Sequence, residues 1–255
     1  MKIVLIGSGN IATHLAKSLF AQRHDIAQVY SKSSANAKAL ADVVGASFTC
    51  AIHDVNTDAD LYIIAVRDEA ISEIVIALPS TLSGIIVHTS GATDVLVLDK
   101  FKKYGVIYPP QSLNKSVPTD LSTIPFGIEG NNADVTKLLT DLMMSIAPKT
   151  FICDSKQRLA LHISAVLVNN FSNALYQMAY DILGQQNLSF DLLKPIILET
   201  ANKVQSHTPK DVQTGPAIRK DMLTINKHLD FLSHSEEQSK IYQYLSNFII
   251  NSTNK

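Results

Sequence analysis

The sequence predicts an α/β protein: a doubly wound, mainly parallel sheet over residues 1–153, then an all-helical domain over residues 154–255. Three observations carry that prediction. Short apolar runs alternate with helical periods through the first half. The first run, Lys2-Ile3-Val4-Leu5-Ile6, leads straight into Gly7-Ser8-Gly9-Asn10-Ile11-Ala12 and a helical stretch from Thr13 to Gln22. From about Ser155 the strand signals stop and long helical periods take over.

The opening run is short and rich in β-branched residues, as a strand buried on both faces requires. In the turn after it, Gly7 permits a tight bend, Gly9 lets the backbone approach a pyrophosphate, and Ala12 lets the helix pack close to the strand. The first N–H groups of the helix have no intrahelical partners and carry partial positive charge, which suits an anion. A tight strand–helix turn with no ligand is the alternative. The second strand, Ile26 to Tyr30, ends in Ser31-Lys32-Ser33, where a site preferring NAD places a carboxylate on the ribose. Two hydroxyls and a cation, with no carboxylate to repel it, suit a 2′-phosphate, so NADP(H) is expected over NAD(H). An ordinary polar loop would instead use Ser33 or Ser34 to cap the helix near Ala35.

The elements continue with a helix from Ala35 to Val44, a short strand at Ala46 to Phe48, and a strand at Leu61 to Val66. A helix from Glu69 to Leu78 follows, with Asp68 as its cap. Strands are expected at Gly84 to Val87, Lys103 to Tyr108, Pro125 to Glu129 and Lys149 to Ile152, with a helix from Ala133 to Ser145. Ligands of such sheets sit beyond the carboxyl ends of the strands. Gly7–Ala12, Ser31–Ser33, Val66–Asp68, His88–Gly91 and Tyr108–Ser112 therefore line one crevice. Val66 and Arg67 pass near the nicotinamide end, Arg67 otherwise being an exposed loop residue. His88 and Ser90 are candidates for the reaction centre; turn chemistry before Gly91 is the alternative.

In the second half, Asp154 or Ser155 caps a helix expected to run to Leu183. His162, Asn169 and Asn173 share a face of it, at rotations of about −20° and +20° for steps of about 100° per residue. That face reads as a ligand wall or as a hydrogen-bond network between helices. Ser189 caps a helix to about Gln205. Thr214-Gly215-Pro216 opens another, with Arg219 one turn inside it as an anion contact. A last amphipathic helix spans about Ser235 to Ile250, with a disordered tail from Asn251.

Composition excludes several classes. The 255 residues carry a formal net charge of −1, which points to neither nucleic acid nor an acidic membrane as partner. No apolar run approaches membrane-spanning length. Cys50 and Cys153 match neither a zinc nor a redox spacing, so no metal site is expected, and two isolated cysteines fit a reducing cytoplasm.

Taken together, the chain resembles bacterial proteins with an N-terminal Rossmann-like domain and a helical C-terminal domain of unknown function. They are labelled NADP oxidoreductases of the deazaflavin-dependent type and are related to pyrroline-5-carboxylate reductase and the β-hydroxyacid dehydrogenases. The residues that carry the resemblance are Gly7–Ala12, Val66-Arg67-Asp68, His88-Thr89-Ser90-Gly91 and Tyr108-Pro109-Pro110-Gln111. In the second half they are His162 with Asn169, and Thr214-Gly215-Pro216 with Arg219 and Asp221. The chain departs from the family pattern at Tyr108, where His is usual, and at Lys220, where Gly is usual. It also lacks the dehydrogenases' helical Lys with an Asn four residues on, having His162 and Val166 there.

The resemblance implies a homodimer formed through the helical domain. It also implies hydride transfer between NADP(H) and a small carbonyl, imine or deazaflavin in a crevice between sheet and helices. His162 is then the acid–base candidate, because an imidazole titrates near neutrality. Asn169 would orient it or the substrate, Ser90 or His88 would complete the site, and Gln111, Asn173 and Arg219 would contact substrate. Rival readings are a non-catalytic NADP(H)-binding sensor or assembly protein, and a fold that binds another nucleotide or none.

Overall fold

The computed structural model describes residues 1–252 and divides into two compact units, one spanning Met1–Asn169 and a second beginning at Asn170. The first unit holds an eight-stranded sheet of order β3-β2-β1-β4-β5-β6-β7-β8. Its strands are β1 (Lys2–Ile6), β2 (Asp25–Tyr30), β3 (Ser47–Thr49), β4 (Leu61–Ile64), β5 (Ile85–His88), β6 (Tyr104–Tyr108), β7 (Phe126–Gly130) and β8 (Thr150–Ile152). Its helices are α1 (Asn10–Ala21), α2 (Ser34–Val44), α3 (Asp68–Ala77), α4 (Ala133–Met144) and α5 (Ser155–Ala165).

Alternation along each strand divides the core into two layers. Ile3, Leu5, Leu61 and Ile63 face α1, α2 and α4; Val4, Ile6, Tyr62 and Ile64 face α3 and the segment through Phe101. All eight are fully buried. Each fully buried aliphatic side chain of this kind contributes about 1.5–3 kcal/mol by leaving water, so the central strands anchor the unit.

One strand departs from the expected parallel order: β7 runs antiparallel to β6. The physical reason is the connection. Residues 109–125 contain a single 3₁₀ turn (Leu121–Thr123) and no crossover helix, so the chain returns on the same edge in the opposite sense. The loop is tied down on α1, where the Lys115 N–H donates to Asn10 Oδ1 at 3.0 Å and His14 Nε2 meets the Asn114 carbonyl at 3.0 Å. The return to parallel pairing between β7 and β8 uses α4 as its crossover.

Helix α1 begins at Asn10, three residues earlier than the sequence period suggested, because Gly9 already serves as its cap. Asp68 lies inside α3, whose cap position is Arg67. Ser33 does cap α2, its side chain accepting from the Asn36 N–H. Further on, α5 is capped by Asp154 and Gln157 reciprocally. It then passes into a π-helical segment, Val166–Phe171, before α6 (Ser172–Gln185).

The second unit is helical: α6, α7 (Lys194–Ser206), α8 (Met222–Phe231) and α9 (Glu236–Ser252). Ser189 caps a 3₁₀ turn, Phe190–Leu193, that leads into α7. The helix expected to open at Pro216 instead opens at Met222. Gly215 takes φ of +108°, and Asp221 is the true cap, accepting from the Thr224 N–H and hydroxyl. Arg219 is therefore an exposed turn residue ahead of the helix and not one turn inside it. The expected tail from Asn251 meets a helix that continues through Ser252; residues 253–255 lie outside the described residues.

Candidate functional site

The order of the sheet places its switch point between β1 and β4, and a groove of about 810 Å³ opens at the carboxyl ends of these strands. It is lined by Gly7 to Ile11 at the start of α1, Tyr30 to Ser33 after β2, and Ala65 to Arg67 after β4. The β6–β7 loop closes it with Gln111 to Leu113 and Lys115. The glycine turn, Ser31–Ser33, Val66, Arg67 and Gln111 thus meet; His88–Gly91 and Tyr108, expected in the same crevice, are not among its lining. Ala12 lies just beneath them, fully buried in the sheet-facing side of α1.

Gly7 and Gly9 differ physically. Gly7 has φ of +126°, and a Cβ there would fall 2.2 Å from the Ala65 carbonyl oxygen. Its absence of side chain is demanded by the fold. Gly9 has an ordinary φ of −79°, and a Cβ would meet no protein atom within 4 Å. Nothing inside the protein requires glycine there. The open space faces a helix start with no acidic residue in its first turn and no side chain capping its N–H groups, which fits an anionic ligand close to the backbone.

Charge along the groove is one-sided. Its lining carries Lys32, Arg67 and Lys115 and no carboxylate. The expectation that no carboxylate stands there to repel a 2′-phosphate is nonetheless corrected: Glu73 of α3 accepts from the Lys32 ammonium at 2.9 and 3.0 Å and holds its pKa above the usual lysine value. Arg67 likewise pairs with Glu69 at 3.1 Å. All four side chains are exposed, and pairs of this kind hold weakly and yield to a better anion. A phosphate on the ribose would exchange Glu73 for a doubly charged partner. Ser31 is oriented by a 2.9 Å bond from the Ser8 hydroxyl.

At the β6 side of the same sheet edge, the Tyr108 hydroxyl meets His162 Nδ1 of α5 at 3.1 Å, the rings edge to face at 5.9 Å. Gly91 makes this approach possible. A Cβ there would lie 2.7 Å from the His162 ring and 2.8 Å from the Tyr108 ring. Burial, and then the Asp68 carboxylate, raise the Tyr108 pKa, so the phenol keeps its proton at neutral pH.

The other predicted reaction-centre residues stand in different surroundings. The Ser90 hydroxyl oxygen accepts from the Ala92 and Thr93 N–H groups at 3.2 and 2.9 Å, closing the turn after β5. His88 is fully buried, and its Nδ1 accepts from the Ser90 N–H at 3.2 Å. Burial first, and then the Arg158 guanidinium, push its pKa down to about 4. The ring is thus held neutral and out of water, and its Nε2 has no hydrogen-bond partner. Asn169 and Asn173 are exposed, and the π-helical segment interrupts the α-helical period on which their stacking with His162 depends. Asn173 and Arg219 belong to the second unit.

Sequence reasoning placed Tyr108 and Gly91 at the crevice without pairing either with His162, and it missed Lys115. Lys115 sits in a loop whose path is set by Asn10, 105 positions earlier in the chain.

Residues 1–110 match a Rossmann-like domain family, and residues 124–249 match a domain of unknown function, DUF2520. Among solved structures, a Bacteroides fragilis protein described as a "putative NADP oxidoreductase" is 38% identical, with 98% of both chains covered and a TM-score of 0.86. A Thermotoga maritima protein is 19% identical over 99% of this chain and 100% of its own, at a TM-score of 0.80. An imine reductase from Myxococcus stipitatus, solved with NADP⁺, is 14% identical over 98% of this chain and 92% of its own, at 0.64. The last two likenesses speak to the fold alone. Comparison with curated proteins returns no match. At 38% identity over nearly its whole length, the chain belongs to the same family as the Bacteroides fragilis protein, with a Rossmann-like domain followed by a DUF2520 domain.

Proposed function

We propose that this protein is an NADP(H)-dependent oxidoreductase that reduces a small imine or carbonyl compound. The observation that carries the reading is the groove at the β1/β4 switch point: a glycine-opened helix start at one end, three cations and no carboxylate in its lining. The name of the 38% identical relative supports the cofactor. The imine reductase of like fold supports an imine as the first acceptor to try, and a deazaflavin is the third.

When bound, the nicotinamide supplies the hydride. The chain's own residues bind, orient and protonate. Gly9 and the α1 N–H groups receive the pyrophosphate; Ser31 and Lys32 receive the ribose phosphate. His162 donates the proton that neutralises the reduced oxygen or nitrogen. Tyr108 fixes the imidazole through Nδ1. As an imidazolium the ring bonds the Tyr108 oxygen through Nδ1–H and gives up its Nε2 proton, leaving a neutral ring that keeps the Nδ1–H bond. A general acid in this role contributes about 10²–10⁴-fold to rate.

The helical unit supports a homodimer. Helices α6 and α7 have no buried residue within the chain. Tyr180, Leu192, Ile196, Leu198, Leu223 and Phe248 are all more than half exposed. An apolar surface of that extent is covered in a working protein, and a second copy is our reading of what covers it. Both cysteines are free, which fits a reducing cytoplasm.

The test is NADPH oxidation with a panel of cyclic imines, small ketones and a deazaflavin, on protein whose sedimentation mass is twice 27.9 kDa. Turnover with one class is expected, falling by about 100-fold or more in His162→Gln and by about 10-fold in Tyr108→Phe. Retained turnover in His162→Gln removes the assigned acid. No turnover with any acceptor, on protein that binds NADPH, favours the sensor reading.

A further inference from the structure

Among the described residues the least exposed charged side chain is Arg158, at 1%. It lies one turn before His162 on α5, and residues four apart share a helix face. Its guanidinium bonds the Glu129 carboxylate of β7, and Nη2 donates to the Thr93 carbonyl and the Ser155 hydroxyl. Glu129 accepts in addition from the Ser155 N–H and hydroxyl, both at 3.0 Å, and the Ser155 oxygen accepts from the Val95 N–H at 3.2 Å.

The three segments that Arg158 joins are those that carry the phenol–imidazole pair. Thr93 is two residues after Gly91, the seat of the pair. Glu129 stands opposite Val106 in the β6–β7 register, and Tyr108 is two residues further along β6, on the same face as Val106. Arg158 itself is on the helix that brings His162. Val106, Tyr108 and Leu161 pack together beside this network.

Stability alone does not account for an arginine here. A buried ion pair is often no more stabilising than apolar residues of the same volume, and the Nε–H of Arg158 has no hydrogen-bond partner. What the guanidinium adds is direction, because its planar fork fixes two partners at once. Resting on the reading of His162 as the acid, we propose that the Arg158–Glu129 pair is a positioning device that sets where α5 presents His162 to Tyr108.

The experiment reads the pair directly, by ¹⁵N NMR of the histidine rings in the full-length protein, with the His162 signals assigned by their loss in His162→Gln. Two backgrounds are compared with the native chain: the apolar double variant Arg158→Met with Glu129→Leu, and the milder Glu129→Gln. In both, the hydrogen-bonded Nδ1 signature of His162 is expected to move to that of a free imidazole. The affinity for NADPH should stay within about 2-fold, since the groove is untouched. A folded variant that keeps the His162 signature overturns the proposal; Glu129→Gln gives that answer if the double variant does not fold. The signature needs no substrate, so it is readable even if every acceptor in the turnover screen fails.

Discussion

Gly7→Ala is expected to lower stability by about 3–5 kcal/mol, whereas Gly9→Ala, two residues away, costs no more than about 1 kcal/mol. At position 7 the new Cβ would lie 2.2 Å from the Ala65 carbonyl oxygen, with φ at +126°. The side chain is strained by its own backbone and collides with the strand beside it, and β1 and β4 are too well packed to separate. At position 9 the φ is ordinary and no protein atom lies within 4 Å, so the loss is at most that of a poorer helix cap. Gly9→Ala is expected instead to weaken NADPH binding by 10-fold or more, since the Cβ occupies the space through which a pyrophosphate would reach the α1 N–H groups. Urea unfolding and NADPH titration of the two variants separate the glycine the fold needs from the glycine the ligand needs. Equal effects of the two on stability would contradict this assignment.

His88 makes the protein acid-sensitive. Its pKa is about 4 in the folded chain against 6.5 when exposed, burial being the main cause. The native state thus favours the neutral ring. The unfolded chain takes up a proton first as pH falls below about 6.5, and each such proton favours unfolding. The stabilisation is fully present above pH 6.5 and is lost as pH falls through 4. The loss comes to about 2–3 kcal/mol between pH 7 and 4.5. His88→Asn removes the titrating ring and keeps an acceptor for the Ser90 N–H. Its unfolding free energy should fall less steeply over that range, by about the same 2–3 kcal/mol. Parallel curves for the two proteins would mean that His88 is not held neutral.

The difference between what was legible in the sequence and what was not follows the range of the interactions. Runs such as Leu61 to Ile64 declare themselves because burial on both faces removes polar residues, and Gly7 to Ala12 because one ligand shape dictates each position. Strand direction at β7 was not legible, since it depends on the absence of a crossover helix in residues 109–125. The start of α8 was misplaced because Pro216 and Gly215 look like a helix opening, while the Asp221 cap with Thr224 is the stronger local bond pair. In the site, the groove residues cluster by sheet topology, which a sequence can foretell. The Tyr108–His162 pair and the Glu73 bond to Lys32 join residues 54 and 41 positions apart through side chains, and no periodicity encodes them. His88 and Ser90 drew attention by their place at the end of a strand; their burial, which the sequence does not print, was not legible.

The central claim is that the groove between the ends of β1 and β4 takes a 2′-phosphorylated dinucleotide. Thermal unfolding with NADPH, NADP⁺, NADH and NAD⁺ tests it most directly. NADPH at about 100 times its dissociation constant adds about 2.7 kcal/mol, which for a chain of this size is a rise of about 5–10 °C. The account predicts that rise with the phosphorylated pair and little or none with NADH and NAD⁺ at the same concentration. A rise with the unphosphorylated pair alone, or with none of the four, would contradict it.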